Sequence, residues 1–395
     1  MATRRWVIGG GITAAVLAGL GYRAWDRGVF SGIEGPAYTP WTEWNPANAA
    51  EGLKEPVRAA ILAANAHDTQ PWQFAVSANG VDVYADRSRN LGSFDPFRRE
   101  MHLSVGAAVA NLLIAASVTG SSVNQYVPTA GRLTLSPPDK PMLAVKIGFV
   151  HTGQTSSRLQ LLAAAIPFRH TNRNAYDGKA LPQAALDAVA APAQQKNVAI
   201  AFVTDPGARK ELGALIVDAT QRIIDDPDMA NDSARWFRTG ANEVNEYRDG
   251  VTVDASGASP YMRMAAKMLP DLGASMTDQA WLSMTRDVQV ATAPVFGMLL
   301  VKDRFDMPTA LTAGQSWQLM HLSATSLKLA AQPMNQPVEC MDRNAMLGRR
   351  DTYASALAKF AKLPGWEPTF VFRLGVPTDD APPSPRRPLE DVLRA

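Results

Sequence analysis

Two stretches of this 395-residue chain align without a gap when the sequence is shifted by 208 positions. Gly106–Gly120 (GAAVANLLIAASVTG) and Gly314–Lys328 (GQSWQLMHLSATSLK) both start on glycine. They pair Leu112 with Met320, Ile114 with Leu322 and Ala116 with Ala324. Apolar residues at these spacings predict two buried helices. Two buried helices can match this far by chance. If instead they descend from one duplicated unit, the chain folds as two packed copies of the same α+β unit. At roughly 150 residues per domain, the length has room for two or three.

Composition excludes more than it assigns. A hydrophobic share of 46% and a charged share of 19% are globular values, unlike those of disordered, collagen-like or coiled-coil chains. A chain this long buries enough core to fold without disulfides or a metal. Its 39 basic and 37 acidic residues leave a net charge of +2, so no electrostatic footprint for nucleic acid exists. The single cysteine, Cys340, excludes internal disulfides and Cys-rich zinc sites. The five histidines form no H-E-x-x-H pair, and no metal site is expected.

Residues 1–35 read as an address. Arg4-Arg5 precede an uncharged run from Trp6 to Tyr22, after which Arg23, Asp26 and Arg27 restore polarity. Seventeen residues sit at the lower edge for spanning a hydrocarbon core of about 30 Å. The run resembles a twin-arginine export signal, and no small-x-small cleavage site stands out, so an uncleaved anchor through residues 6–22 stays open. The expected location is outside the cytoplasm, periplasmic or attached to the inner membrane. Gly9-Gly10-Gly11-Ile12-Thr13-Ala14 fits a G-x-G-x-x-A fingerprint, but no second strand leads into Asp26, so it reads as a glycine-rich signal segment. Residues 36–46 read as a Pro- and Trp-containing linker, with the folded body from 47.

The body opens with a helix over Pro56–Ala64. Two strands, Gln73–Ala78 and Val81–Ala85, flank an Asn79-Gly80 turn. A buried helix over Met101–Gly120 and a strand over Met142–Phe149 complete a first unit, 47–150. The second unit, 151–395, has helices over Arg158–Ile166, Leu181–Val189, Ala208–Asp225, Thr277–Val290 and Ala310–Ala331. Its strands are Val198–Val203, Phe296–Lys302 and Thr369–Leu374. Residues 226–278 show little periodicity and suit an insertion or lid.

Three short segments carry candidate chemistry. Asn65-Ala66-His67-Asp68-Thr69-Gln70-Pro71-Trp72 reads as a loop after the first helix, because Pro71 forbids helix continuation. Arg169-His170-Thr171-Asn172-Arg173 places two arginines around a hydroxyl, and Arg386-Arg387 add another pair. Guanidinium forks match phosphate oxygens, although isolated surface charges read as solvated. Pro333-Met334-Asn335-Gln336-Pro337 cannot be regular, which leaves backbone N–H groups to face a ligand.

Together these pieces resemble the nitroreductase family of FMN-binding oxidoreductases, in its Acg-like branch of long, internally duplicated chains. The resemblance spans nearly everything from Ala47 to Leu393 and implies an α+β nitroreductase-like fold of two tandem units forming a pseudo-dimer. It assigns the S-x-x-N-x-Q-P-W flavin loop to residues 65–72, with Asn65, His67, Asp68 and Gln70 as contacts. The R-R-S-x-R phosphate run falls on Arg169, Thr171 and Arg173, and the backbone along the isoalloxazine ring on Pro333, Met334, Asn335 and Gln336. The C-terminal K-x-R falls on Arg386, with Ser384 in place of its lysine. Asp68 stands where the family usually has asparagine, and Asn65 where it has serine. The first change turns an amide donor into an acceptor-only carboxylate when ionised.

The loop occurs only in the first unit, and the arginine run, the Pro333 segment and Arg386 only in the second. One complete site can therefore form, which implies one FMN per chain and no obligatory homodimer. The resemblance implies electron transfer from a reduced donor such as NAD(P)H to a nitroaromatic, quinone or similar acceptor, with the flavin carrying the chemistry and no catalytic side chain named. The alternative is a flavin-sequestering protein whose lid over 226–278 leaves little turnover. Export favours a donor other than NAD(P)H, or storage.

Overall fold

The computed structural model describes residues 19–29, 33–47, 49, 52–269 and 273–394. The twin-arginine pair and the glycine-rich stretch lie outside them, and of the uncharged run only 19–22 is described.

Ten strands and fourteen helices are described, in the order α1 (residues 19–26), α2 (Pro40–Glu43), α3 (Lys54–Ala60), β1 (Trp72–Val76), β2 (Gly80–Ala85), α4 (Arg99–Val118), β3 (Ser121–Pro128), β4 (Met142–His151) and α5 (Ser157–Ala165). Then follow α6 (Gln183–Ala190), β5 (Val198–Val203), α7 (Pro206–Ile224), α8 (Pro227–Ala234), β6 (Phe237–Arg238), α9 (Ala241–Tyr247), β7 (Val251–Thr252), α10 (Pro260–Met268) and α11 (Gly273–Ser283). The chain closes with β8 (Val295–Val301), α12 (Met307–Ser326), β9 (Ala330–Pro333), α13 (Gln336–Met346), α14 (Thr352–Ala361) and β10 (Glu367–Gly375).

The strands make two four-stranded antiparallel sheets of one topology. The first has the order β1-β2-β4-β3 and the second β5-β8-β10-β9. In each, the strand after the long helix is an edge and the next strand returns beside the centre. The long helices α4 and α12 differ by 208 residues at both ends. They cross where a Cβ on Gly106 would collide with the carbonyl of Leu311, and one on Gly314 with that of Leu103. Those contacts exchange under the same shift of 208, so the crossing is self-complementary, as at a two-fold interface. Only glycine lets the two backbones approach this closely. Helix α4 is apolar enough to cross a membrane by composition, but 83% of its most apolar window is buried inside the fold, which makes it a core helix.

The sequence reading differs from the structure where burial, not local pattern, decides. Gly80 does not adopt the positive φ of an Asn-Gly hairpin turn. It is required because β4 passes close by, and a Cβ there would meet the Ile147 carbonyl at 2.9 Å. The predicted helix over Ala310–Ala331 stops at Ser326, because Lys328 turns left-handed (φ +58°) and Ala330 starts an edge strand. Strands β3 and β9 and helices α13 and α14 were not anticipated. The β3 side chains are exposed on both faces, so no alternation marks them. The segment 226–278 is not aperiodic but a run of short helices, each too brief to show a period.

The Pro36–Pro46 stretch is no linker. Ala37, Trp41 and Trp44 are buried, and both tryptophans belong to the core of the first sheet. Residues from the far end of the chain join that same core. Leu389 and Val392 pack into it, and Phe74 N–H donates to Val392 O at 2.8 Å while Arg394 N–H donates to Phe74 O at 2.8 Å. Phe74 and Leu393 thus form a parallel bridge outside β1.

Candidate functional site

Residues remote in sequence meet at a cleft of about 440 Å³, part of it open to solvent. Asn65 and Asp68 line it from the first unit, and Arg169, Thr171, Arg173 and Arg386 from the second. Gly250, Val251, Thr252 and Ala255 supply another wall, so the predicted lid segment borders the cleft.

The first wall is a strained loop. His67, Asp68 and Gln70 all have left-handed φ (+49°, +53° and +48°), unusual for non-glycine residues. Such conformations cost about 1–3 kcal/mol each and persist where the surroundings hold them. Here Asn65 is the fastener: its Oδ1 accepts from Gln70 N–H at 2.7 Å and its Nδ2 donates to Asp68 Oδ1 at 3.1 Å. Gln70 is fully buried and bridges chain segments instead of facing the cleft. It donates to Arg248 O at 2.8 Å and accepts from Arg387 N–H at 2.8 Å. His67 likewise points to the lid, with Nε2 2.9 Å from Ser233 Oγ and its ring edge-on to Phe94. Burial pushes its pKa down to about 4, so the imidazole is neutral.

Asp68 pairs with Arg386, and this resolves its departure from an amide. Arg386 Nη1 donates to Asp68 Oδ1 and to Ser384 Oγ (2.7 Å), and Nη2 donates to Ala63 O (3.0 Å). Ser384, standing at the place of the missing lysine, therefore holds the arginine. Burial raises Asp68 to about 6 despite the adjacent guanidinium, and burial also lowers Arg386. Both partners are strained toward neutrality by desolvation, as expected of a pair taken out of water.

Arg169 is buried, donates to Leu62 O at 3.1 Å, and lies 3.5 Å from His321 Nδ1. Burial and then Arg386 lower it to about 9, so it remains charged at neutral pH. Arg173 donates to Ala255 O at 3.1 Å and is lowered by burial to about 10. Thr171 is half-buried between them. Among the described residues, the buried Nε atoms of Arg169 and Arg386 and the buried Oδ2 of Asp68 lack hydrogen-bond partners. Near neutral pH the cleft thus carries three guanidinium charges against one carboxylate, with two unused donors.

Trp41 was missed by the sequence reading. Its ring lies 4.8 Å from the Arg386 guanidinium and 6.0 Å from that of Arg169, and its Nε1 donates to Ser384 O at 2.7 Å. A π face beneath two desolvated arginines lowers the cost of burying them. The available signal was two tryptophans, Trp41 and Trp44, within four residues of a supposed linker.

The Pro333–Gln336 segment does not line this cleft. Met334 N–H is taken by Val371 O at 2.8 Å, and Asn335 Oδ1 accepts from Val371 N–H at 3.1 Å, so these groups secure β10. Asn335 Nδ2 donates to Glu100. Glu100 and Glu339 are both buried, and their mutual repulsion favours a proton on Glu339. Burial pushes Glu100 up to about 7, and burial together with Glu100 pushes Glu339 well above the usual range. Arg99 closes the cluster through Asp342 at 2.6 Å.

No protein-family model matches the chain. Among curated proteins it is 26% identical over 347 residues to "Putative NAD(P)H nitroreductase Rv3131" of Mycobacterium tuberculosis, covering 87% of this chain and 91% of the relative. This α+β chain, with its cleft between two units, is therefore a homologue of proteins named nitroreductases. The "Putative NAD(P)H nitroreductase acg" of the same organism is 27% identical over 122 residues, 31% of this chain and 34% of its own. The resemblance to the Acg-like branch stands on these relatives. Among solved structures, the FMN-dependent nitroreductase NfnB from Mycobacterium smegmatis overlaps 60% of this chain and 99% of its own at 17% identity and a TM-score of 0.38. That superposition is loose and places no residue.

Proposed function

We propose that this chain is an FMN-dependent oxidoreductase of nitroreductase type that carries one FMN in the cleft. The observation behind this reading is electrostatic. Three arginines face one carboxylate, an excess of two charges that a phosphate of about −1.5 to −2 would balance. Arg169, Arg173 and Arg386 are the phosphate holders, with Thr171 between the first two in sequence and Asp68 paired to the third. The residues fit the phosphate end of such a cofactor, because two buried guanidinium nitrogens there lack partners.

When bound, FMN supplies the two-electron chemistry between a reduced donor, NAD(P)H or another, and a nitroaromatic, quinone or similar acceptor. The chain's own residues position and insulate it. Trp41 braces Arg169 and Arg386, and Asn65 fixes the left-handed loop that carries Asp68. The Gly250–Ala255 wall limits water. Arg169, Arg173 and Arg386 are supplied by one unit and Asn65 and Asp68 by the other, so a single chain completes the site without an obligatory homodimer.

A second reading, flavin sequestration with little turnover, is favoured by how firmly the lid is fastened. Asp249 pairs with Arg89 of the body, and Gly250 N–H donates to Asp68 O at 3.1 Å. We further propose that residues 1–35 direct the body out of the cytoplasm, with 6–22 as signal or anchor.

An absorbance spectrum of the purified protein, before and after anaerobic NADPH, tests these readings. Flavin bands near one FMN per chain that bleach promptly support the oxidoreductase. Bands that bleach only with dithionite support sequestration. A colourless protein that takes up no added FMN refutes both, and two flavins per chain refutes the single site. Reporter fusions active only outside the cytoplasm would support export.

A further inference from the structure

The outer surface of the lid is apolar where a surface helix is ordinarily polar. On α10, Tyr261 is 80% exposed, Met262 51% and Met264 44%, and Leu269 just beyond it is 45% exposed. On α1, Tyr22 is 66% and Trp25 73% exposed, with their rings 6.0 Å apart.

These two helices are strapped together. Arg23 donates through Nε to Met268 O (2.8 Å) and through Nη2 to Leu269 O (3.0 Å). Lys267 Nζ returns a bond to Gly28 O at 3.1 Å, and α9 adds a separate tie to α1, Asn242 Nδ2 to Asp26 at 2.8 Å. Residues 19–29 and 260–269 together carry three basic side chains that are not buried (Arg23, Arg27, Arg263) against one acidic, Asp26, while Lys267 is buried and paired with Asp254.

We propose that this face, α1 together with α10, is a membrane-docking surface that rests on the headgroup region of an anionic bilayer. The proposal builds on attachment through residues 6–22 and is independent of the flavin. Three observations converge on a lipid surface as the occupant. The uncharged run Trp6–Tyr22 ends on this face, so an anchor there would deliver α1 to the bilayer surface. Exposed Tyr and Trp beside a hydrophobic run are the side chains that settle at a membrane–water interface. A short helix with Tyr and Met outward and Arg263 beside them matches an interfacial helix attracted to anionic lipid.

The placement also bears on the cleft. Lys267 pairs with Asp254 Oδ2 at 2.7 Å, and Arg263 donates to Asp254 O at 3.2 Å. Asp254 adjoins Ala255, which lines the cleft and accepts from Arg173. A bilayer that holds α10 therefore holds the wall over Arg173.

The test uses the full chain in vesicles of phosphatidylcholine and phosphatidylglycerol. Native Cys340 is buried, so Tyr261→Cys carries an environment-sensitive fluorophore, with Leu161→Cys on α5, also exposed, as the reference. Docking predicts a blue shift at 261 and quenching by lipid bromines seated about 5–10 Å below the headgroup boundary, with no change at 161. Flotation of the vesicles reports attachment separately. A chain that floats while the label at 261 stays in water refutes the docking face and leaves attachment standing. A chain that does not float refutes both. A blue shift at 261 without lipid that grows with protein concentration makes the face a self-association surface and overturns the proposal.

Discussion

Replacing Asp68 by asparagine separates two opposite expectations for a buried ion pair. An aspartate stabilised by its arginine would have a depressed pKa and would add stability above pH 4. Here burial outweighs Arg386 and raises the carboxyl from 3.8 to about 6. The native carboxyl then keeps a proton that the unfolded chain has already released. Its contribution to stability is full below about pH 4 and is lost as pH rises through 6. The rise from 3.8 to about 6 corresponds to about 3 kcal/mol. An amide side chain does not titrate, so urea unfolding of both proteins from about pH 4 to 8 isolates this residue from the other buried carboxyls. Relative to Asp68→Asn, the parent chain should lose about 3 kcal/mol over that interval. The vertical offset between the curves reflects Arg386 left without its partner and is not part of the prediction. Parallel curves would refute the reasoning, and a parent chain that gains stability with pH would reverse it.

Arg173→Met should weaken FMN binding by about 10- to 100-fold, the loss of one charge-assisted bond of about 1.5–3 kcal/mol, as read by quenching of flavin fluorescence. Trp41→Ala should destabilise the fold by about 3–5 kcal/mol in denaturant unfolding, and Trp41→Phe by much less, because a ring under the arginines remains. Gly314→Ala should cost more than about 1–3 kcal/mol and lower the melting temperature, since its methyl meets the Leu103 backbone, which has nowhere to go. Asp249→Asn should loosen the lid, which Asp249 ties to Arg89 of the body, and speed loss of bound flavin on dilution.

What the sequence revealed and what it hid follow from the range of the forces involved. The strands 72–76, 80–85, 142–151 and 198–203 are legible because alternation or an apolar run marks burial locally. The helices α4 and α12 are legible for the same reason, and their relation by 208 positions shows in the sequence. Edge strand β3 is illegible because it buries neither face. Arg169, Thr171, Arg173 and Arg386 could be singled out as candidates, yet their convergence with Asn65 and Asp68 depends on contacts spanning more than a hundred residues. Trp41 beneath two arginines shows in the sequence only as one of two closely spaced tryptophans, since nothing adjacent in the chain announces its partners. The Pro333 segment shows the opposite error. Its prolines forecast irregular backbone, and the structure spends the Met334 N–H on Val371.

The bridge from Phe74 to Leu393 sets an order of events during synthesis. A ribosome releases a chain N-terminus first, so β1 emerges more than three hundred residues before the segment that flanks it. Through all that time the first sheet is short of a neighbour, and Asp68 waits without Arg386. Closing so long a loop is slow, because its entropy is lost before the contacts form. The cleft is thus finished only once Arg386 has emerged, long after Asp68. Any cofactor held from both sides must wait for that arginine, and a truncation just before it would open the site while sparing most of the core.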